Sequence, residues 1–451
     1  MQLAFFGATQ TVTGSRYMLA CGERRVLVDC GLFQGYKHLR LKNWARLPFA
    51  AHQVDAVLLT HAHLDHSGYL PLLVKNGFKG RIYATSATVE LCRILLPDSG
   101  HLQEEQAQFA NRHGFSKHSP ALPLYTEKDA YDCLKKFRAV SFDEAIEPVP
   151  GVRATFARAG HLPGAASVRV QHDGKSILFS GDVGRPDDPL MSAPAAPAAA
   201  DYLVVESTYG DRTHPVLDPR TELRDVIRRT CARGGVIVIP TFAVGRAQLL
   251  LLLIARLQAA GEIPRIPVYL DSPMAIDATE LFARFGAEHR LSKEEAATVG
   301  SIAALMRTAE QSKALDRIRE PGIILAASGM ATGGRVVHHL KVFAPDARNT
   351  ILFSGFQAGG TRGAALVAGA PQIRIHGESF AVRAEVTQLQ SASAHADADE
   401  LIAWLRRMPA APRQVFVTHG EPSASDALRQ RIQTQLGWAA TVPEYRDETT
   451  L

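Results

Sequence analysis

Thr60-His61-Ala62-His63-Leu64-Asp65-His66 is the stretch on which the reading of this chain turns. It follows the apolar run AVLL at 56–59 and precedes a helix expected to begin near Ser67. A short apolar run ending in a polar cluster reads as a buried strand. In a tight turn leaving a strand, residues two apart can point to one side, so His61 and His63 can pinch one cation. Asp65 and His66, at the helical start, then face a neighbouring position. Imidazole suits zinc, and carboxylate supplies compensating charge.

Four other apolar runs deliver an acid or a histidine at their C-terminal ends. His161 follows RATFARAG, Asp182 follows SILFSG, Glu206 follows YLVV and His419 follows QVFVT. In α/β sheets, ligand sites collect at the C-terminal ends of strands. A lone histidine after a strand says little; the shared placement of these four is the signal. Asp29, at the end of the strand-like run from Arg25, has the same placement.

The texture changes further along. Between about residues 208 and 370 come three strand–loop–helix units: VIVIP then TFAVGR, IILAA then SGMATGGR, and TILF then SGFQAGGTRG, each followed by a helical pattern. Such alternation predicts a mostly parallel sheet with helices on its faces. The strand-and-histidine pattern resumes beyond residue 371. The expected plan is one domain over 1–207 and 371–451, interrupted by an inserted domain over 208–370. The 451 residues suit about two domains. The segment APAAPAAA at 193–200 reads as a surface connector.

Composition excludes several classes. The longest apolar run, Leu249–Ala255, is far short of the ~20 residues of a spanning helix. No basic segment precedes the N-terminal apolar stretch, so no secretory signal is expected. Five Cys without a CxxC pair argue against disulfides and a thiolate zinc site, and point to the cytoplasm. The net charge of +5 permits a nucleic-acid partner without demanding one. His113, His118, His338 and His339 lie outside the motifs and read as ordinary core or surface residues.

The motifs together resemble those of the metallo-β-lactamase superfamily, and within it the β-CASP nucleases. FGATQTVTGS at the start, VDCG around Asp29, HAHLDH, HLPGAAS at His161, SGDVGR at Asp182, VVESTYGDR at Glu206, SAHAD at His395 and THGE at His419 carry the likeness over nearly the whole chain. The resemblance is close to bacterial relatives of the nuclease subunit of the pre-mRNA cleavage and polyadenylation machinery. It implies an αββα sandwich interrupted by an inserted α/β β-CASP domain. It also implies a two-zinc site, with manganese an alternative occupant. His61, His63 and His161 would hold one ion; Asp65, His66 and His419 the other; Asp182 would bridge both. Asp29 would orient ligands from behind. Glu206 would accept a hydrogen bond from His395, which would then contact a phosphate or protonate the leaving oxygen; Asp65 and Asp182 would join this pair as catalytic groups.

The implied activity is hydrolysis of single-stranded RNA by in-line attack of a hydroxide bridging two metals. In this family a histidine at the position of His419 marks the RNA-processing branch, whereas the DNA-repair branch carries an apolar residue there. In the inserted domain, Arg246, Ser328, Arg335, Ser354 and Arg362 lie in or beside Gly-rich loops and are candidates for binding phosphate. That domain is expected to act as a lid, and a homodimer is open. The chain ends about thirty residues beyond His419, so no further C-terminal domain is expected, nor a KH-type module before the first strand.

Rival readings are a thioester, lactam or lactone hydrolase, a flavodiiron oxidoreductase, a DNA nuclease and an inactive RNA-binding scaffold. The insertion and the His395 element oppose the first, and His63 opposes the second. The seven retained ligand positions oppose the last.

Overall fold

The computed structural model describes residues 1–451 except Phe115, Val216 and Phe356. The chain forms two compact units, Met1–Thr213 with His395–Leu451, and His214–Ala394. No helix among the described residues is long and apolar enough to cross a membrane, and all five cysteines are free.

The first unit is built on two sheets, each of seven strands among the described residues. One runs in the spatial order Glu448–Thr450, Gln2–Phe5, Tyr17–Cys21, Arg24–Val28, Ala56–Leu58, Arg81–Thr85 and Phe137–Val140. The other runs Ala440–Thr441, Gln414–Val417, Tyr202–Val205, Lys175–Phe179, Ala166–His172, Val152–Arg158 and Ala145–Val149. Side-chain alternation decides which face goes where. Ile177 and Phe179 point inward with Phe156, Val168 and Val170 and meet Leu3, Phe5, Leu19, Val26 and Leu58 of the first sheet. Leu178 points the other way, with Leu203, Val205, Val415 and Val417, onto Leu401 and Leu405 of helix Ala398–Arg406 and Leu428 of helix Pro422–Arg431. Helix Ser86–His113 packs on the strands at the far edge of the first sheet. The result is the expected αββα sandwich. Burial on both faces is why several of its strands read as unbroken apolar runs.

The second unit holds a parallel sheet in the order Ala304–Leu305, Val268–Asp271, Gly322–Ala326, Val236–Pro240, Thr350–Phe353 and Glu385–Gln388. The longest apolar run of the sequence lies in its helix Arg246–Ala259, buried almost throughout. The last strand of the sheet is a departure from the sequence reading. Residues 371–394 pack here, with Glu385 ion-paired to Arg229 and Arg233. The first unit therefore resumes at His395, not at residue 371. A strand that adds to a sheet edge through backbone hydrogen bonds carries no side-chain mark of which sheet it will join.

Inside this unit lies a buried charge cluster. Asp271 and His339 are both fully buried. The Asp271 carboxylate accepts hydrogen bonds from Ser312 at 2.6 Å, Arg335 at 2.8 Å and His339 Nε2 at 2.7 Å. The other ring nitrogen of His339 lies 2.7 Å from Asp316. Burial opposes the imidazolium, but the two carboxylates win and hold its pKa above the ordinary value. Burial likewise opposes ionised Asp271, yet its three donors hold it below the usual carboxylate range.

Asp271→Ala should lower the unfolding free energy by about 3–5 kcal/mol, because a paired buried imidazolium and guanidinium lose their counter-charge. The stabilisation linked to His339 is complete below the ordinary imidazole range and is lost as pH rises through its raised folded value. His339→Gln should flatten that dependence. Urea midpoints at mildly acidic and mildly alkaline pH read both effects.

Candidate metal centre

The seven predicted ligand residues converge at the C-terminal ends of the strands of the first unit. His61, His63, His161 and Asp182 bring one donor atom each within 4.8 Å of one another, and Asp65, His66 and His419 do the same. Asp182 joins the groups. Its Oδ2 lies 3.4 Å from His61 Nε2 and 3.7 Å from His161 Nε2. Its Oδ1 lies 3.2 Å from His66 Nε2 and 3.6 Å from His419 Nδ1. One carboxylate thus faces one histidine cluster with each oxygen.

Local structure explains the convergence. Asp29 and His419 both turn in the left-handed region, with φ of 58° and 50°, conformations that Asp and His adopt more readily than most residues. The HAHLDH loop is strapped by the chain around it. Ser15 N–H donates to Asp65 O at 2.8 Å, Cys30 N–H to His66 O at 2.7 Å and Leu32 N–H to Leu64 O at 2.8 Å. Gly31 is obligatory here: a Cβ on it would stand 1.6 Å from Asp65 O. The helical turn starts at Leu64, a little before the expected position, so Asp65 and His66 lie within it.

Behind the cluster, Asp29 lies against Thr60 and His66. It accepts from Thr60 N–H at 2.8 Å and from the Thr60 hydroxyl at 2.9 Å, and its Oδ2 lies 2.8 Å from His66 Nδ1. Engaging Nδ1 leaves His66 Nε2 toward the cluster, the arrangement of a carboxylate–histidine–metal triad. Thr60 and Thr208 were missed by sequence reasoning. Their hydroxyls lie 3.1 Å from His61 Nδ1 and His419 Nδ1 respectively. The available signal was a hydroxyl residue inside each motif, THAHLDH and ESTYGD.

Glu206 and His395 lie side by side, with His395 Nδ1 3.2 and 3.3 Å from the two carboxylate oxygens. Glu206 is fixed by Val183 N–H at 2.7 Å and Thr208 N–H at 3.2 Å. His395 is the more exposed partner, at 18% of its side chain against 1% for Glu206.

Electrostatics sort the imidazoles. Burial drives His61 and His161 below the ordinary value and His63 to about 3, favouring the neutral form that carries a free lone pair. His66 and His395 go the other way. Burial opposes their charge, but Asp182 and Asp29 for His66, and Glu206 for His395, outweigh it. Burial also opposes ionised Asp182, yet His419, His66 and His61 hold it well below the usual range.

The donors fit cations. Asp182 Oδ1 is buried with no aligned hydrogen-bond donor, a costly state for a carboxylate oxygen. Ring nitrogens face one another at 3.2 Å for His61–His63 and His63–His161, and at 3.1 Å for His66–His419. Each such pair can share at most one proton, whereas a cation among the deprotonated rings can take a lone pair from every one of them. These His/Asp clusters are able to hold metal.

The candidates of the inserted unit lie at the C-terminal ends of its parallel strands. Arg246, Ser328 and Ser354 each lie within a few residues after a strand, and Arg335 and Arg362 lie at helix starts. Arg335 gives its guanidinium to Asp271 and to the carbonyls of Met306 and Arg307. Arg362 gives its own to the carbonyls of Arg374 and Ala331. Arg246 and Ser354 are buried.

Three family models match the chain: the metallo-β-lactamase superfamily over residues 13–220, the β-CASP domain over 247–366 and a Zn-dependent metallo-hydrolase RNA specificity domain over 379–443. The chain is 39% identical over 436 residues to Ribonuclease TTHA0252 of Thermus thermophilus, covering 95% of each. It is 32% identical over 465 residues to Transcription termination factor FttA of Methanocaldococcus jannaschii, covering 96% of this chain and 70% of the relative. A crystal structure of a protein of unknown function from Enterococcus faecalis V583 shares the fold, at TM-score 0.53 and 14% identity, covering 100% and 99% of the two chains. The chain belongs to the β-CASP family of the metallo-β-lactamase superfamily and is a hydrolase homologous to ribonucleases.

Proposed function

We propose that this protein is a ribonuclease that hydrolyses phosphodiester bonds of single-stranded RNA at a centre of two zinc ions. The observation that carries the reading is the split of Asp182 between two histidine clusters. His61, His63 and His161 would hold one ion, Asp65, His66 and His419 the other, with Asp182 between them. Manganese also suits His/Asp donors, and loading follows availability. Two such ions would supply Lewis-acid stabilisation of an in-line displacement and a nucleophilic water near neutral pH.

The chain's own residues do the rest. Asp29 and Thr60 hold His66 and His61 in place, and Thr208 does so for His419. Glu206 anchors His395 through Nδ1, so Nε2 is the nitrogen left to contact a phosphate oxygen or hand a proton to the leaving group. Asp65 lies 3.4 Å from His419 Nε2 and sets the orientation of that ring. Ser328, Ser354 and Arg246 remain the phosphate candidates of the inserted unit. Arg335 gives donors to Asp271 and to two backbone carbonyls, and Arg362 to two backbone carbonyls, so for these two a phosphate would compete with contacts inside their own unit.

RNA rather than DNA is supported by three findings: the RNA specificity model over 379–443, the ribonuclease relative, and a histidine at 419. Competitive cleavage of matched single-stranded RNA and DNA should favour RNA; a preference for DNA overturns this part of the reading.

His61→Ala and Asp182→Ala should each abolish RNA cleavage while leaving RNA binding within a few-fold of wild type. Turnover surviving in metal-analysed double variant would sink the assignment. His395→Ala should lower kcat by about 10²–10⁴-fold with metal content unchanged. Asp29→Ala should weaken metal affinity by about 10–100-fold, measured by competition with a chelator, with the fold intact by circular dichroism.

A further inference from the structure

Between Gly31 and Val54 the chain carries no acidic residue, but it carries Lys37, Arg40, Lys42 and Arg46. The same stretch holds several of the most exposed large apolar side chains of the first unit: Tyr36 at 49%, Leu41 at 56% and Trp44 at 59%. Helix Lys37–Lys42 buries none of its residues. Among the described residues, Lys37, Arg40 and Arg46 form no ion pair. Cations and flat rings thus alternate along one exposed segment, which is an unusual use of a Trp and a Tyr in a folded domain.

The segment is exposed but firmly seated. Asn43 is buried, and its carboxamide clamps Phe33, accepting from Phe33 N–H at 2.9 Å and donating to Phe33 O at 2.8 Å. Gln34 N–H donates to Thr13 Oγ1 at 3.2 Å. Lys42 Nζ sits over the Tyr445 ring at 4.2 Å and over Phe33 at 5.2 Å. Tyr36 stacks on His38 at 5.7 Å with planes 19° apart. Burial, and then nearby Arg446, hold Lys42 below the usual lysine range.

Its position relative to the metal centre is bounded by the chain itself. Leu32 is bonded to Leu64 within the HAHLDH loop. Tyr36 lies four residues on, so its Cα is within about 14 Å of Leu32 at full extension. That distance is about four stacked nucleotides at a rise of ~3.4 Å.

We infer that Tyr36–Arg46 is a landing platform for single-stranded RNA, stacking bases on Trp44 and Tyr36 while Lys37, Arg40 and Arg46 contact the phosphates on the way to the metal centre. Single-stranded nucleic acids are held in this manner, by aromatic faces within a cationic track. The charge pattern selects a polyanion; a purely apolar partner would not call for four basic and no acidic residues. The inference rests on the ribonuclease reading, and the test separates the two.

Binding is measured with Asp182→Ala protein and a fluorescein-labelled single-stranded RNA across a salt series. Trp44→Ala should weaken binding by about 5- to 150-fold, the range of one lost base stack, and Trp44→Phe should restore most of it. The triple variant K37A/R40A/R46A should reduce the slope of log affinity against log salt by about 2, at ~0.7 per phosphate contact. In otherwise wild-type protein, the same variants should leave hydrolysis of bis(p-nitrophenyl) phosphate unchanged, since that substrate is too short to reach the platform. If wild type cleaves RNA but the variants keep its affinity and salt slope, the platform is refuted and the ribonuclease reading stands. If wild type neither binds nor cleaves RNA, the ribonuclease reading falls and the platform with it. Binding of anionic phosphatidylserine vesicles lost in Trp44→Ala while RNA affinity is kept would assign the surface to a membrane instead. Dimer dissociation in the variant at unchanged RNA affinity would assign it to a second copy.

Discussion

The buried carboxylate of Asp182 sets the terms for the first unit. It stands in a place where an ionised group is tolerated only if opposing charge or strong donors surround it. The surroundings are imidazoles from four separate stretches of chain, His395 included, so the ends of several strands must register within a few ångströms. Much of the local architecture follows from that requirement. Gly31 allows two backbones to approach closer than any side chain permits. Asp29 and His419 accept left-handed turns. The Tyr17 hydroxyl, 3.0 Å from Thr418 Oγ1, ties the second sheet's last loop to the first sheet.

The cluster around Asp271 in the second unit is made from the same residue types and is the opposite case. Each oxygen of Asp271 has a donor, and both nitrogens of His339 face a carboxylate. Nothing there lacks a partner, so the group is a strut. At the metal centre, Asp182 Oδ1 has no aligned donor and ring nitrogens face ring nitrogens. Saturation of hydrogen-bonding capacity, not residue type, separates a structural ion cluster from a centre built for a cation.

This contrast also explains what the sequence could reveal. His61, His63, Asp65 and His66 were legible because four chemistry-bearing residues crowd one strand end, and His161, Asp182, Glu206 and His419 because each follows an apolar run. His395 follows no such run; only its motif pointed to it. Thr60 and Thr208 stayed hidden because a hydroxyl is common and its partner is distant in sequence. His339 read as an ordinary core histidine since its carboxylates lie 68 and 23 residues away. Helix Ser86–His113 contains Pro97 and Gly100, which argue against a continuous helix. Gly100 is there because a Cβ would meet the backbone of Thr126 and Glu127 at 2.7 Å, a reason that only the packed structure supplies. The edge strand Glu385–Gln388 hid the boundary for the same kind of reason.

The strand Tyr202–Val205 lies directly beside Gln414–Val417, and Ser207 bonds Thr418 across 211 positions of sequence. That pairing carries His419 into place. A polypeptide emerging from the ribosome would therefore display six of the seven donors long before it could supply the last. Closing so large a loop is slow, and it becomes easier once the intervening unit has folded and drawn its own ends together. Until that pairing forms, the donor group of Asp65, His66 and His419 stays incomplete.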